Sequence, residues 1–231
     1  MKVAKSLADY SSEYSYGTND ARLQQIYREM WEGGYRVGED GRYLRCHSKF
    51  EENKLFSILK GIAYWKSGGE WWSNQGFDNY WSFPKIRSTF RNLVDLKKSV
   101  TKSKDEKVLS IIAVNPETKI SGFGLRSGSV IMTVMYPDSY GIIDYKAWRA
   151  LNGKWAEQYD LEILCKLKNE CGDCYGTCCK YDLRTEGSAD FDLAECGQYF
   201  DEIRKIGVAE EMNPRQVDMA LWEYDRQYSR S

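Results

Sequence analysis

The chain has 231 residues, of which 42% are hydrophobic and 29% charged, and this composition fits one globular domain or two small lobes that share a core. Collagen-like, coiled-coil and fully disordered classes are excluded on the same grounds. The formal net charge is −1, and the presence of a single histidine, His47, excludes multi-histidine metal sites and most Ser-His-Asp arrangements, so chemistry must depend on carboxylates, lysines, cysteines or tyrosines.

The N-terminal half contains four predicted helices, each marked by apolar residues that recur every three or four positions. The first follows an N-cap at Thr18 or Asn19, and the second is centred on residues 55–62. A third helix, which is basic, starts near Ile86, and a fourth surrounds residues 108–112.

The C-terminal half begins with a tight turn at residues 121–124 and an apolar segment at 126–136. This segment favours a helix, although its β-branched residues would also fit a strand. Further helices cover residues 193–203 and the segment opened by Asn213 and Pro214, an N-cap followed by proline at the first helical position. With at least seven predicted helices and no convincing strand, the sequence predicts an all-α fold.

Charge is unevenly distributed along the chain. Residues 85–107 hold eight Lys and Arg against three Asp and Glu, whereas residues 157–225 hold seventeen acidic against seven basic residues. A polyanion would therefore be attracted to the middle of the chain and repelled by much of the C-terminal third. For the lysines of the basic run, contact with DNA and an ordinary solvated surface are equal alternatives; they are Lys97, Lys98, Lys102 and Lys104.

The most informative pattern lies in residues 120–130, ISGFGLRSGSV, and 140–149, YGIIDYKAWR. Gly122 and Gly124 form a Gly-x-Gly turn between two predicted helices, and Asp144 follows an aliphatic pair 18 residues after Arg126. This combination, within residues 105–152, resembles the hairpin and catalytic-aspartate region of the helix-hairpin-helix DNA glycosylase superfamily. Endonuclease III and 8-oxoguanine DNA glycosylase are members of that superfamily.

The resemblance implies a two-lobed helix-hairpin-helix fold over residues 1–231 and binding of double-stranded DNA through the hairpin. Glycines let the backbone approach DNA closely, and amides at the start of the next helix bind a phosphate. We expect a β-branched residue at Gly124 to fail because of a positive φ and to push the backbone from the phosphate. The implied DNA-binding residues are Gly122, Phe123, Gly124, Leu125, Arg126, Ser127 and Gly128. In the family a monovalent cation often bridges hairpin carbonyls to the phosphate; by position these belong to Thr118, Ile120 and Phe123.

Asp144 stands where the family has its catalytic carboxylate. Once a nucleotide is flipped out, such a group stabilises an oxocarbenium-like sugar and orients water, so no cofactor is required for catalysis. Without the hairpin, Asp144 would be no more than the N-cap of a helix at 145–151. Arg126 occupies the position of the Schiff-base lysine of bifunctional members, and a guanidinium cannot act as an amine nucleophile. The resemblance therefore implies a monofunctional enzyme, unless Lys119 or Lys146 substitutes.

Aromatic residues are dense in a glycine-rich loop between the second and third predicted helices. In a glycosylase these rings would wall the base pocket or fill the gap that the flipped base leaves. Packing between helices is the alternative for each of them. The residues concerned are Trp71, Trp72, Tyr80 and Trp81.

Cysteines are concentrated in an insert at residues 165–190. A Cys-x2-Cys element there is typical of metal sites, and some family members carry a four-cysteine iron-sulfur loop after the catalytic Asp, with larger spacings. A structural Zn²⁺ or iron-sulfur site and ordinary reduced cysteines both remain open. The candidate ligands are Cys171, Cys174, Cys178 and Cys179.

The resemblance implies release of a damaged or modified base to leave an abasic site, in base excision repair or in defence against modified phage DNA. The alternatives are a non-catalytic helix-hairpin-helix DNA-binding module and a cysteine-metal interaction protein. No run approaches the roughly 18 apolar residues of a membrane span, and residues 1–16 lack a signal-peptide core. We therefore expect a DNA-associated monomer in the cytoplasm, without membrane contact.

Overall fold

The structure is a computed structural model. It describes residues 5–14, 21–26, 28, 52–67, 81–82, 84–86, 88–90, 92, 104–136, 138–151 and 191–228. Every regular element in these residues is helical, which confirms the predicted all-α class. The labelled helices are α1 (Leu7–Glu13), α2 (Glu52–Ser67), α3 (Lys104–Leu109), α4 (Leu125–Met135), α5 (Tyr145–Ala150), α6 (Leu193–Ala209) and α7 (Pro214–Tyr228). A π-helical turn, Ser110–Val114, continues α3, and residues 21–26 and 88–90 are also helical.

The chain divides into two compact units. Unit 1 consists of Met1–Ser15 and Ser139–Ser231, and unit 2 of Tyr16–Asp138. The segment 105–152, which the sequence treats as one functional region, contributes its hairpin to unit 2 and Asp144 to unit 1.

The core of unit 2 contains α2 and α4. Ile58, Leu59 and Ile62 of α2 are fully buried, at the spacing that predicted this helix. The segment that also fitted a strand is the helix α4, in which every residue from 128 to 135 is buried. Burial requires its hydroxyls to be paired, and the helix supplies acceptors, since Thr133 donates to the carbonyl of Ser129 at 2.8 Å.

Helix α7 lies at the centre of unit 1, where it contacts α1, α5 and α6. Val217, Ala220 and Leu221 are its fully buried apolar residues. Its start is the one predicted, because Asn213 Oδ1 accepts from the amide of Gln216 at 2.9 Å and the Gln216 side chain accepts from the amide of Asn213.

Helix α1 was missed by the sequence reasoning. Ser6 and Asp9 form a reciprocal capping box at its start, and Leu7 and Tyr10 are buried. A serine followed three positions later by an acidic residue is the local signal that would have indicated it. The Tyr10 ring meets Tyr224 of α7 edge-on at 5.4 Å, so α1 is joined to α7 by aromatic packing.

Candidate functional site

The hairpin of unit 2 is a β-turn set on a helix end. The amide of Phe123 donates to the carbonyl of Ile120 at 3.0 Å, and Gly122 has φ of 83°, which makes this a type II turn. The amide of Ile120 donates to the carbonyl of Ile112 at 2.8 Å, which ties the turn to the preceding π-helical residues. Gly122 therefore meets a backbone requirement that other residues satisfy only with strain.

Gly124 has a different conformation from the one expected. Its φ is −91° and its ψ −176°, which is extended backbone that any residue adopts. The expectation of a positive φ at this position is therefore wrong. A Cβ built on Gly124 meets no described atom within 4 Å, so the described residues set no steric requirement for glycine here.

The start of α4 offers a short row of amides to an anion. Gly124 is the N-cap and supplies no side-chain acceptor. The amide of Gly128 already donates to the carbonyl of Gly124 at 2.8 Å, which removes Gly128 from the predicted phosphate-binding amides. Gly128 instead permits close packing, because an added Cβ would lie 3.3 Å from Ile112. The amides left at the first turn are those of Leu125, Arg126 and Ser127.

Side chains from residues 81–89 hold the hairpin in place. Trp81 Nε1 donates to the carbonyl of Ser121 at 2.9 Å, and the hydroxyl of Thr89 donates to the carbonyl of Thr118. The Trp81 ring is 9% exposed and lies 6.3 Å from the ring of Phe123, which is also buried. Trp81 thus supports the hairpin from inside unit 2. The other aromatic candidates lie outside the described residues; they are Trp71, Trp72 and Tyr80.

The implied monovalent-cation site would use hairpin carbonyl oxygens, two of which already accept hydrogen bonds. Thr118 O accepts from Thr89, and Ile120 O accepts from the amide of Phe123. A carbonyl oxygen has two lone pairs, so each keeps capacity for a cation. The two oxygens are therefore compatible with an ion that would supply positive charge toward a phosphate, and the cation site stays a prediction.

Asp144 of unit 1 caps helix α5. Its Oδ1 accepts from the amide of Lys146 at 3.1 Å, and the residue is 8% exposed. The preceding Ile142 and Ile143 are buried, as an aliphatic pair before a helix start predicts. The carboxylate is therefore oriented by the helix N-terminus and mostly shielded from water.

A partly buried ion pair joins the same helix to α7. Arg149 of α5 donates through Nε to Asp225 Oδ1 at 3.0 Å and through Nη2 to Oδ2 at 2.5 Å. Burial opposes the charge of Arg149, but the hydrogen bonds and charge of Asp225, with smaller contributions that include Asp144, raise the pKa of its guanidinium. This two-pronged pair fixes α5 against α7.

Tyr199 of α6 has a buried hydroxyl that is influenced by the charges of Asp218 and Asp144. It is fully buried, and its hydroxyl makes no hydrogen bond among the described residues. Burial first, and then the negative charges of Asp218 and Asp144, raise the pKa of Tyr199 well above its usual value. The phenol therefore stays protonated, and the two carboxylates act on one buried group.

Sequence reasoning missed the buried acids of α7. Asp218, Glu223 and Asp225 are nearly or fully buried and paired with arginines, so they are not part of a repelling surface field. The available signal was an arginine three positions from a carboxylate, as in Arg215 with Asp218.

A partly exposed surface of cations and aromatic rings adjoins Asp144. Lys146 Nζ lies 4.2 Å from the centre of the Trp222 ring, and Trp222 meets Tyr14 edge-on at 5.4 Å. Arg215 stacks over Tyr14 at 5.3 Å. Lys146, which lies two residues after Asp144, is thus held over the Trp222 ring.

The metal prediction falls on residues that the structure does not describe. Cys171, Cys174, Cys178 and Cys179 lie in the undescribed range 152–190. Among the described residues, no three His, Cys, Asp or Glu side chains are grouped to hold a metal ion, and no helix is long and apolar enough to cross a membrane.

No known family model, curated protein or solved structure matches the chain. The resemblance to helix-hairpin-helix glycosylases therefore stays a prediction from the hairpin residues and Asp144.

Proposed function

We propose that the chain is a monofunctional DNA glycosylase of the helix-hairpin-helix type, with two lobes, acting on double-stranded DNA. One observation carries the proposal. A type II turn at Gly122 leads directly into a helix capped by glycine, and the next helix is capped by Asp144, whose carboxylate is nearly buried. Those are the local structures that a phosphate-binding hairpin and a catalytic aspartate require.

The hairpin supplies DNA binding in this proposal. Amides of Leu125 to Ser127 and the positive end of the α4 dipole face a phosphate without competition from a capping side chain. A monovalent cation on the carbonyls of Thr118 and Ile120 would add positive charge. These contacts read the backbone and carry no base specificity.

Asp144 supplies the chemistry. In base release, the bond between the sugar C1′ and the base nitrogen breaks, and the electron pair leaves with the base. Water then bonds to C1′, and its proton passes through Asp144 to solvent or the departed base. A carboxylate shielded from water stabilises the positive sugar more strongly than an exposed one does, because the local dielectric constant is low. The Lys146 amide fixes one oxygen, so the carboxylate is oriented before substrate binds.

Arg126 cannot form an imine with the sugar, because its guanidinium stays protonated. We therefore propose a product strand that stays unbroken at the abasic site. The damaged or modified base stays unspecified, and repair and defence against modified phage DNA are both compatible with this chemistry.

The test uses duplexes that carry a panel of modified bases, followed by hot alkali to cleave abasic sites. Asp144→Asn keeps an oxygen for the Lys146 amide but removes the charge, so we expect DNA binding to persist while base release falls about a thousandfold. Asp201→Asn is the matched control, since Asp201 is an exposed acid of unit 1. Full activity in Asp144→Asn would overturn the catalytic assignment.

The imine chemistry is tested separately with borohydride. We expect no covalent trapping of the wild-type protein on substrate DNA. Efficient trapping would overturn the monofunctional assignment and direct attention to Lys146 or Lys119.

A second candidate is a non-catalytic DNA-binding module, and the N-cap bond from Lys146 to Asp144 favours it. In that case the wild type binds duplex DNA in a salt-dependent way and releases no base from any member of the panel. Asp144→Asn would then change only the stability of α5.

A further inference from the structure

The loop that leads into Asp144 is held by a carboxylate from the last helix. Asp218 of α7 accepts a hydrogen bond through Oδ2 from the backbone amide of Ile142. Ile142 lies two residues before Asp144 and outside any helix, so no helical hydrogen bond fixes this amide. The loop that leads into the candidate carboxylate is therefore bonded to a side chain 76 residues beyond Ile142.

The second oxygen of Asp218 is also in use. Arg215, one turn earlier in α7, forms an ion pair with Oδ1, and its Nη2 donates to the hydroxyl of Tyr14 at 3.3 Å. A buried carboxylate is costly unless it is paired, and Arg215 provides the pairing charge. Asp218 is 2% exposed, so its two oxygens connect the loop and the arginine with little access for water.

Gly141 makes this contact sterically possible. A Cβ at Gly141 would lie 2.5 Å from Asp218 Oδ2 and 2.9 Å from the carbonyl oxygen of Pro214. The loop therefore approaches α7 as closely as a backbone without a side chain permits. Tyr140 adds to the fit, because its ring meets Phe200 of α6 edge-on at 5.0 Å.

Glu223 on the same helix shows which part of this arrangement is special. It is fully buried and bonded by Arg226, three positions away, at 2.8 Å and 2.5 Å. It also accepts a hydrogen bond from Gln227 of the same helix at 2.7 Å. Asp218 and Glu223 are thus two buried acids of α7, each paired with a nearby arginine, but only Asp218 contacts the loop before Asp144.

We propose that Asp218 is a positioning residue for Asp144: by holding the Ile142 amide, it sets the depth and orientation at which the Asp144 carboxylate meets the sugar. This inference rests on the proposed glycosylase function and adds a residue that the sequence motif does not contain. Asp218 is buried beneath the loop and acts through Asp144.

The first measurement needs no substitution. Hydrogen exchange by NMR should show the Ile142 amide of the wild-type protein protected at least about a hundredfold relative to an exposed loop amide. Rapid exchange at Ile142 would overturn the proposal, whatever the enzymatic activity.

The second measurement compares Asp218→Asn with Glu223→Gln. Asparagine is neutral and has one oxygen, so the Ile142 amide either loses its acceptor or keeps a weaker, uncharged acceptor that no longer pairs with Arg215. We expect the single-turnover rate of base release to fall ten- to a hundredfold, with the Kd for duplex DNA within about twofold of wild type. Glu223→Gln should leave that rate unchanged. Equal rates for the two variants would overturn the proposal and leave the glycosylase function standing.

The third measurement separates positioning from general damage to the fold. If Asp218 acts through Asp144, then adding Asp218→Asn to Asp144→Asn should lower the residual rate no further. A further loss as large as in the wild-type background would contradict positioning. Absence of base release by the wild type on every substrate would instead remove the proposed function, and this inference with it, while Ile142 exchange would still report on the loop contact.

Discussion

The hairpin of unit 2 and the Asp144 loop of unit 1 are both irregular segments that end at a helix N-terminus, but they are held by different chemistry. Neutral donors on Trp81 and Thr89 reach backbone carbonyls of the hairpin. The Asp144 loop is held the other way round, since its backbone donates to the charged side chain of Asp218. Neutral bonds to backbone carbonyls should leave the hairpin tolerant of surface substitutions, whereas the buried carboxylate of Asp218 should make the Asp144 loop sensitive to small steric and charge changes.

The largest expected effect contrasts one glycine from each segment. Gly141→Ala should destabilise the protein by about 2 to 3 kcal/mol, because the new Cβ collides with Asp218 and with the backbone of Pro214. Gly124→Ala should cost no more than about 1 kcal/mol, because its Cβ meets no described atom within 4 Å and its φ suits alanine, so that only the N-cap preference for glycine over alanine is lost. Urea unfolding curves measure both. Equal stability losses in the two variants would show that the two segments do not differ in steric tolerance.

A smaller effect is expected from the hairpin support. Thr89→Val removes the hydroxyl and leaves the carbonyl of Thr118 without that donor, at a cost of about 1 to 2 kcal/mol in the free energy of unfolding. Thr89→Ser keeps the hydroxyl and is the matched control. A Thr89→Val protein as stable as the control would show that the hairpin does not need this support.

Removal of one hydroxyl in unit 1 should raise the free energy of unfolding instead of lowering it. Tyr199→Phe deletes a buried group that has no partner among the described residues, so we expect stability to rise by up to about 1 kcal/mol. Tyr14→Phe, which deletes a hydroxyl that accepts from Arg215 at 3.3 Å, should lower stability. Thermal unfolding of the two variants measures the difference. A stability loss in Tyr199→Phe would indicate a hydrogen bond made through a bound water.

The smallest effect is a loosening of α1 in acid. Hydrogen bonds from Ser6 lower the pKa of Asp9, and hydrogen bonds from Lys5 and Gln227 lower the pKa of Glu13. Groups with lowered pKa values stabilise the fold above their ordinary values and stop doing so as the pH falls through the folded ones. We expect the protection of the α1 amides against exchange, relative to an unfolded chain at the same pH, to fall below about pH 4. Protection at the hairpin should change less, because Trp81 and Thr89 carry no charge; an equal loss of protection in both segments would contradict this difference.

Much of the fold was predictable because its signals are local. The spacing of Ile58, Leu59 and Ile62 indicates α2, and Asn213 followed by proline marks the start of α7. The same holds for Asp144, whose place after an aliphatic pair predicts a helix N-cap. Such features depend on residues within about one helical turn, so the sequence contains them directly.

The environment of the candidate site was not predictable in this way. The many acidic residues near the C-terminus predict a negatively charged surface. Asp218 and Asp225 are instead buried and paired with arginines. Trp81 read as a candidate base wedge, and the structure shows it under the hairpin. Whether a charge or a ring faces water depends on segments tens of residues away.

The helical class, the glycine turn at Gly122 and the cap at Asp144 follow from the order of residues, because backbone conformation and capping depend on near neighbours. Long-range packing is what makes Gly124 extended, leaves room for a carboxylate at Gly141 and brings Asp218 to the loop before Asp144. The physical reason is that a buried charge must find its partners wherever the fold places them, and those partners lie far apart in the chain.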